Sequence, residues 1–345
     1  MMQIDQMLIT ARNLMVDNKG LLAMDESMPN LHHLFEAIGI DPNEENRRAY
    51  REMIITSPYL GHYLSGTILV EETVGQLTAD GQSFLEILHE KGIIPGIKVD
   101  EGTIDLAGFP GERITVGLDH LRDRLHHYRE QGLLLAKWRA VINIGNETPT
   151  DGSVVANMHE LARYAAFCQE ADVLPIVEPE VLMDGDHNIE RSARVTREVL
   201  HELFHQLMLQ QVHLRCLILK PNMVISGLSA AVQASAADVA DATTDCLLDT
   251  VPAAVAGVAF LSGGQSPWQA TEHLNAIHSQ FKNLPWPVTF SYSRAIQQPA
   301  MKVWMAKREN VPAAQRMLLE RLELLVLARR GIYESRLERS RSSHA

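Results

Sequence analysis

Leu214-Arg215-Cys216-Leu217-Ile218-Leu219-Lys220-Pro221-Asn222-Met223 is an apolar run that ends in a lysine and is then broken by proline. A continuous apolar run without alternation suits a strand buried on both faces, as in a parallel sheet covered by helices. A lysine delivered by such a strand into a cleft loses hydration, which favours the neutral amine and makes it a usable nucleophile. The ordinary alternative is a lysine that reaches past a strand end into water. Repetition favours the first reading, because apolar runs that end in charge recur at Asp25, Lys98, Lys137 and Glu178.

Working outward, seven more runs have the same character: Leu21-Leu22-Ala23-Met24, Gly66-Thr67-Ile68-Leu69-Val70, Ile93-Ile94-Pro95-Gly96-Ile97, Leu133-Leu134-Leu135-Ala136, Leu174-Pro175-Ile176-Val177, Val255-Ala256-Gly257-Val258-Ala259-Phe260-Leu261 and Pro287-Val288-Thr289-Phe290. Between them lie helical signals. Asp41-Pro42-Asn43-Glu44-Glu45 offers Asp41 as an N-cap, proline at the first helical position and acids at the positive helix end. Ser266-Pro267-Trp268-Gln269 is a second start, and helical periodicity is plain over 158–165 and 191–209. Alternating strands and helices imply a parallel α/β architecture, and eight strands close a (β/α)8 barrel of the TIM type. Residues 3–18 read as an extra N-terminal helix and 305–330 as one or two C-terminal helices. The expected organisation is a single barrel domain over 1–335 followed by a polar, mobile tail over 336–345.

Of the 345 residues, 46% are hydrophobic and 21% charged, which is enough apolar material for one large core. With 31 Lys and Arg against 43 Asp and Glu, the net charge of -12 disfavours nucleic acid or an anionic membrane as a partner. No basic region precedes an apolar stretch at the N-terminus, and no run of about 18 apolar residues follows, so the chain reads as cytoplasmic. The cysteines Cys168, Cys216 and Cys246 are odd in number and far apart, which points to buried free thiols.

In a barrel, the C-terminal strand ends converge on one mouth. Asp25, Lys98, Lys137, Arg139, Glu178, Glu180, Lys220, Ser262 and Arg294 would meet there. Neighbouring lysines and burial together lower an amine pKa from about 10.4 toward neutrality, with Lys137 the cation that activates Lys220. An unprotonated amine attacks a ketone to form a carbinolamine and then an imine, whose positive nitrogen draws electrons from an adjacent carbon–carbon bond. Proton traffic needs carboxyls, which Asp25, Glu178 and Glu180 supply. A structural ion pair between Lys137 and Glu178 is the alternative.

Leu261-Ser262-Gly263-Gly264-Gln265-Ser266 follows the seventh run and opens a helix, an arrangement suited to a phosphate on backbone N–H groups. Arg294, in Ser291-Tyr292-Ser293-Arg294, adds a bidentate contact. A Gly-rich turn without a ligand is the alternative. Asp184-Gly185-Asp186-His187 holds metal-ligand atom types but has the composition of a turn. His32-His33 and His126-His127 point about 100 degrees apart on a helix, and no His-Glu-x-x-His motif occurs, so neither metal nor cofactor is expected.

Six ordered segments carry a family resemblance over 21–333: Leu22-Ala23-Met24-Asp25-Glu26-Ser27, Gly96-Ile97-Lys98-Val99-Asp100, Ala136-Lys137-Trp138-Arg139, Pro175-Ile176-Val177-Glu178-Pro179-Glu180, Leu219-Lys220-Pro221-Asn222-Met223 and Phe260-Leu261-Ser262-Gly263-Gly264-Gln265-Ser266. The chain resembles the class I, Schiff-base, metal-independent fructose-bisphosphate aldolases. The resemblance implies reversible cleavage of fructose 1,6-bisphosphate to dihydroxyacetone phosphate and glyceraldehyde 3-phosphate, in glycolysis and gluconeogenesis. It makes Lys220 the imine-forming lysine, Glu178 the general acid/base and Asp25 the acceptor of the C4 hydroxyl proton, with Lys137 and Glu180 completing the polar network. It sets Ser262, Gly263 and Arg294 at the C1 phosphate, Ser27 and Lys98 toward the C6 phosphate, and adds Arg139, Leu261, Ser291 and Ser293 to the substrate-binding set. Homotetramers are usual in that family. Three features depart from the familiar members: Met28-Pro29-Asn30 replaces Thr-Gly-Ser, Ser293 replaces a glycine, and the tail ends Ser342-Ser343-His344-Ala345 without a tyrosine. An aldolase for a different phosphorylated substrate, or a silent sugar-phosphate-binding barrel, are the competing functions.

Overall fold

The computed structural model describes residues 4–338. Ten strands form in chain order: β1 (Gly20–Ala23), β2 (Leu64–Leu69), β3 (Ile94–Lys98), β4 (Thr103–Asp105), β5 (Arg113–Thr115), β6 (Leu135–Ile142), β7 (Leu174–Val181), β8 (Ile218–Leu219), β9 (Gly257–Phe260) and β10 (Val288–Tyr292). Eight of them close into a barrel in the order β1, β10, β9, β8, β7, β6, β3, β2, every pair parallel. Each of the eight apolar runs supplies one barrel strand. β4 and β5 pair with each other as an antiparallel ribbon between β3 and β6. They are polar segments of three residues and carry no apolar run by which a reading of the sequence would find them.

Residues on alternate positions of a strand share one face, and here the inner face changes character along each strand. Leu135 and then Lys137 and Arg139 follow one another on β6, and Leu174, Ile176, Glu178 and Glu180 on β7. The apolar members of these series form an inner core with Leu21, Ala23, Ile68, Ile218 and Ala259. The N-terminal helix Ile4–Leu14 completes that core, inserting Met7, Ala11 and Leu14 together with Met15 into the floor of the barrel. Two strand glycines make room for it. A Cβ at Gly66 would lie 2.4 Å from Leu14 Cδ1, and one at Gly257 would lie 2.4 Å from Met15 Cε. The outward strand residues, among them Leu22, Trp138, Val177, Leu219 and Phe260, pack beneath the surrounding helices in a second, larger core.

The helix starts follow sequence logic with one correction. Ser266 caps the helix Pro267–Gln280 through a reciprocal capping box with Gln269. Asp41, however, does not cap the next helix after Met28–Glu36. That helix runs over Glu44–Ile55, and Asn43 is its cap, its side-chain oxygen accepting from the Asn46 N–H at 2.8 Å. Asp41 instead accepts from the Asn43 amide at 2.8 Å, and the Pro42 carbonyl accepts from Arg47 at 2.7 Å, so the segment stays extended two residues longer. The C-terminal part is a short 3-10 turn, Arg308–Asn310, leading into the helix Val311–Arg329. Residues 336–338 are helical, and the rest of the expected tail lies outside the described residues. Cys168, Cys216 and Cys246 are free and buried, and burial pushes the Cys246 thiol up to about 12.

Candidate active site

Every sequence-selected site residue lines one cavity of about 570 Å³ at the C-terminal ends of the barrel strands. Asp25 and Ser27 follow β1, Lys98 ends β3, Lys137 and Arg139 lie on β6, and Glu178 and Glu180 on β7. Lys220 follows β8, Leu261, Ser262 and Gly263 follow β9, Ser291 lies on β10, and Ser293 and Arg294 follow it.

At the centre, the Glu178 carboxylate is shared between two ammonium groups. Its Oε1 is 2.8 Å from Lys220 Nζ and its Oε2 is 3.0 Å from Lys137 Nζ. Lys137 Nζ also lies 2.6 Å from Asp25 Oδ2. The four side chains thus form a chain, Asp25 to Lys137 to Glu178 to Lys220, with every member buried. Burial alone would raise the Asp25 pKa, but the charges of Lys137 and Lys220 overcome it and hold that carboxyl well below its usual range. Glu178 is lowered through the same contest of burial against Lys137 and Lys220. Lys137, desolvated but flanked by Asp25 and Glu178, is raised. Both carboxylates are therefore ionised at neutral pH and Lys137 is a fixed cation.

Around this centre, Arg139 pairs with Glu180, and Lys98 Nζ lies 2.7 Å from Asp100 Oδ1. The contribution of Asp100 is legible in retrospect, since it stands two residues beyond Lys98 in a segment already singled out. Arg294 is exposed and has no ion-pair partner among the described residues, which leaves its guanidinium available to a ligand. Beside it, the turn after β9 carries Gly263 and Gly264 at φ +44° and +72°, and a Cβ on Gly263 would fall 2.5 Å from Met183 Cε. The left-handed conformation favours glycine at both positions, and a side chain at Gly263 would also have to push Met183 and Leu261 aside. The turn leads into the N-terminus of the helix Pro267–Gln280, a natural seat for an anion.

A further wall of the cavity belongs to the helix Met28–Glu36, which follows β1, the neighbour of β10 in the barrel. Ser27 is its N-cap residue, yet its hydroxyl makes no capping bond, and Pro29 occupies the first turn. Asn30, from the segment Met28-Pro29-Asn30 singled out in the sequence, lines the cavity; His33 and Leu34 of this helix, and Gly102 and Thr103 at the start of the β4–β5 ribbon, line it too and were missed in the sequence. Glu26 was missed too, although it sits between two chosen residues; its side chain faces the cavity and touches Ser293. Asp184-Gly185-Asp186-His187 forms the turn before the helix Ile189–Leu209, with Gly185 at φ +116° and Asn188 as the cap. Among the described residues no group of three or more His, Cys, Asp or Glu side chains is placed to hold a metal ion.

A closed parallel barrel with a buried lysine–carboxylate–lysine array at its mouth belongs to the class of barrels equipped for amine-based chemistry on a carbonyl. The comparisons with known proteins make the assignment specific. The family model for the glycolytic class-I fructose-bisphosphate aldolases matches residues 6–345. A protein of Xanthomonas campestris named probable fructose-bisphosphate aldolase class 1 is 50% identical over 96% of this chain and 99% of its own. The Arabidopsis thaliana protein named cytosolic fructose-bisphosphate aldolase 4 is 47% identical over 92% of this chain and 80% of its own. Among solved structures, a Plasmodium falciparum fructose-bisphosphate aldolase, crystallised with TRAP and a small-molecule inhibitor, superposes with a TM-score of 0.94 at 41% identity, covering 96% of each chain. The chain belongs to the class I fructose-bisphosphate aldolase family.

Proposed function

We propose that this barrel cleaves fructose 1,6-bisphosphate reversibly into dihydroxyacetone phosphate and glyceraldehyde 3-phosphate through an imine on Lys220. The observation that carries the reading is the single carboxylate of Glu178 held 2.8 Å from Lys220 Nζ and 3.0 Å from Lys137 Nζ. Ionised Glu178 is placed to take a proton from Lys220, so that the freed amine attacks the C2 ketone. It then returns that proton to the carbinolamine hydroxyl, which leaves as water. The iminium nitrogen draws the electrons of the C3–C4 bond while Asp25 takes the C4 hydroxyl proton, and the aldehyde fragment departs. The enamine left on Lys220 is protonated and hydrolysed to release the ketone fragment. Lys137, bonded to both carboxylates, keeps them ionised between steps.

Ser262, Gly263 and Arg294, with Leu261, Ser291 and Ser293 around them, bind the C1 phosphate in this reading. Ser27 and Lys98 face the C6 phosphate, and Arg139 with Glu180 borders the sugar. The reaction belongs to glycolysis and gluconeogenesis, and the family resemblance supports a cytoplasmic homotetramer with one barrel domain over 1–335.

Borohydride reduction with dihydroxyacetone phosphate tests the imine, with mass mapping of the product. A stable adduct on Lys220 is expected in the native protein and none in Lys220→Ala; an unmodified native protein would overturn the mechanism. Turnover of fructose 1-phosphate beside fructose 1,6-bisphosphate tests the substrate, and failure to cleave the bisphosphate counts against it.

A further inference from the structure

We propose that Ser293 and Glu26 form a latch that holds Arg294, at the phosphate end of the site, in fixed relation to Asp25, at the bond-breaking end. The inference rests on the functional reading above and concerns positioning: the Ser293 backbone borders the phosphate, while its hydroxyl and the Glu26 carboxylate act through their chain neighbours. Ser293 immediately precedes Arg294 and is the N-cap residue of the helix Arg294–Trp304. Serine at that place ordinarily turns its hydroxyl back onto the first-turn N–H groups. Here it makes no such bond. The hydroxyl instead donates to Glu26 Oε1 at 2.5 Å, across from the turn after β10 to the turn after β1.

Glu26 is a firm anchor for that bond. Gln297 donates to its Oε1 at 2.7 Å and to the carbonyl of Ala23, at the end of β1, also at 2.7 Å. Arg51 donates to its Oε2 at 3.1 Å. Arg51 is 2% exposed and pairs with no other carboxylate among the described residues. Tyr50 closes the network by donating to Gln297 Oε1 at 3.2 Å. Glu26 is thus held by two buried groups, Arg51 and Gln297, which also bond to each other at 3.4 Å, and it adjoins Asp25 in the chain. Arg294 has no ion-pair partner among the described residues, so its placement depends on the turn that Ser293 ties down. A charge held in place before the ligand arrives costs less ordering on binding, which is how the latch favours the phosphate.

Ser293→Ala removes one hydroxyl from a partly exposed position and leaves the Glu26–Arg51 pair in place. Loss of the charge-assisted hydrogen bond to Glu26, and of the weaker one accepted from Gln297 at 3.2 Å, predicts a KM about tenfold higher for both fructose 1,6-bisphosphate and fructose 1-phosphate, with a smaller fall in kcat. Ser293→Thr restores KM. Arg294→Lys raises KM by itself, and the double variant Ser293→Ala/Arg294→Lys is no worse than Arg294→Lys alone, because the latch acts through Arg294. Dihydroxyacetone phosphate with borohydride still labels Lys220 in Ser293→Ala, at a higher half-saturating concentration. A native protein that fails to label sinks the functional reading itself. Where the native protein labels, the latch is overturned by a KM for Ser293→Ala within twofold of native. Additive KM effects in the double variant, or a fall in kcat and Tm without a rise in KM, overturn it equally.

Discussion

Lys137 decides whether the centre of the site is stable, because among the described residues its ammonium alone ion-pairs with both Asp25 and Glu178. Lys137→Met leaves two buried carboxylates short of a counter-charge and is expected to cost about 3–5 kcal/mol, read from urea unfolding at pH 7. The pH dependence has a definite sign. Asp25 and Glu178 are lowered in the folded protein, so their contribution is present above the unfolded values of about 3.9 and 4.3 and is lost as pH falls through the folded ones. Lys137 is raised, so its contribution is complete below about 10.4 and goes only as pH rises through the folded value. The difference in unfolding free energy between native and Lys137→Met should therefore shrink as the buffer is taken from pH 6 to about pH 3, and a constant difference would refute this account. Most of the site was legible at this scale, because a charge that closes an apolar run has few places to go. What escaped were groups whose role depends on partners far along the chain. The carboxylate of Glu26 looks like any other until Arg51, Gln297 and Ser293 are seen to converge on it.

At the scale of elements, the apolar runs located the barrel because strands buried on both faces have no polar positions to confuse the pattern. Boundaries were harder. β6 and β7 extend to Ile142 and Val181, past the charged residues that ended the runs, since those residues point into the cavity and remain part of the ladder. β8 shrinks to Ile218–Leu219 because Leu214–Cys216 winds into a 3-10 turn. The ribbon of β4 and β5 left no hydrophobic trace at all. The fit between the floor helix and the strands was equally hidden, since nothing in a lone glycine announces the side chain that will occupy its space. Gly257→Ala is expected to destabilise by about 1–3 kcal/mol through its contact with Met15, and Met15→Ala combined with it should cost less than the two changes summed. Thermal unfolding of the three variants provides the check; strict additivity would deny the contact.

Across the whole molecule, the last long helix meets the segment after the N-terminal helix at the floor of the barrel. Arg329, on the last long helix, donates to the carbonyls of Val16 and Lys19, to that of Met15 at 3.4 Å and to that of Val288 at 3.1 Å. Burial brings its pKa down to about 10, and the carbonyls at the end of the floor helix give the charge a favourable setting. Arg329→Met should lower stability by about 1.5–3 kcal/mol while kcat stays unchanged, measured by urea unfolding and steady-state turnover, because the site lies at the other end of the strands. A drop in kcat without loss of stability would contradict this separation. The helix that Arg329 secures also governs traffic. With Met7, Ala11 and Leu14 wedged beneath the strands, the described residues form a flask stoppered at its base. In the proposed reaction what enters by the mouth leaves by the mouth, so the aldehyde fragment has to clear the opening before another can take its place, while the ketone fragment stays tethered by its own covalent bond.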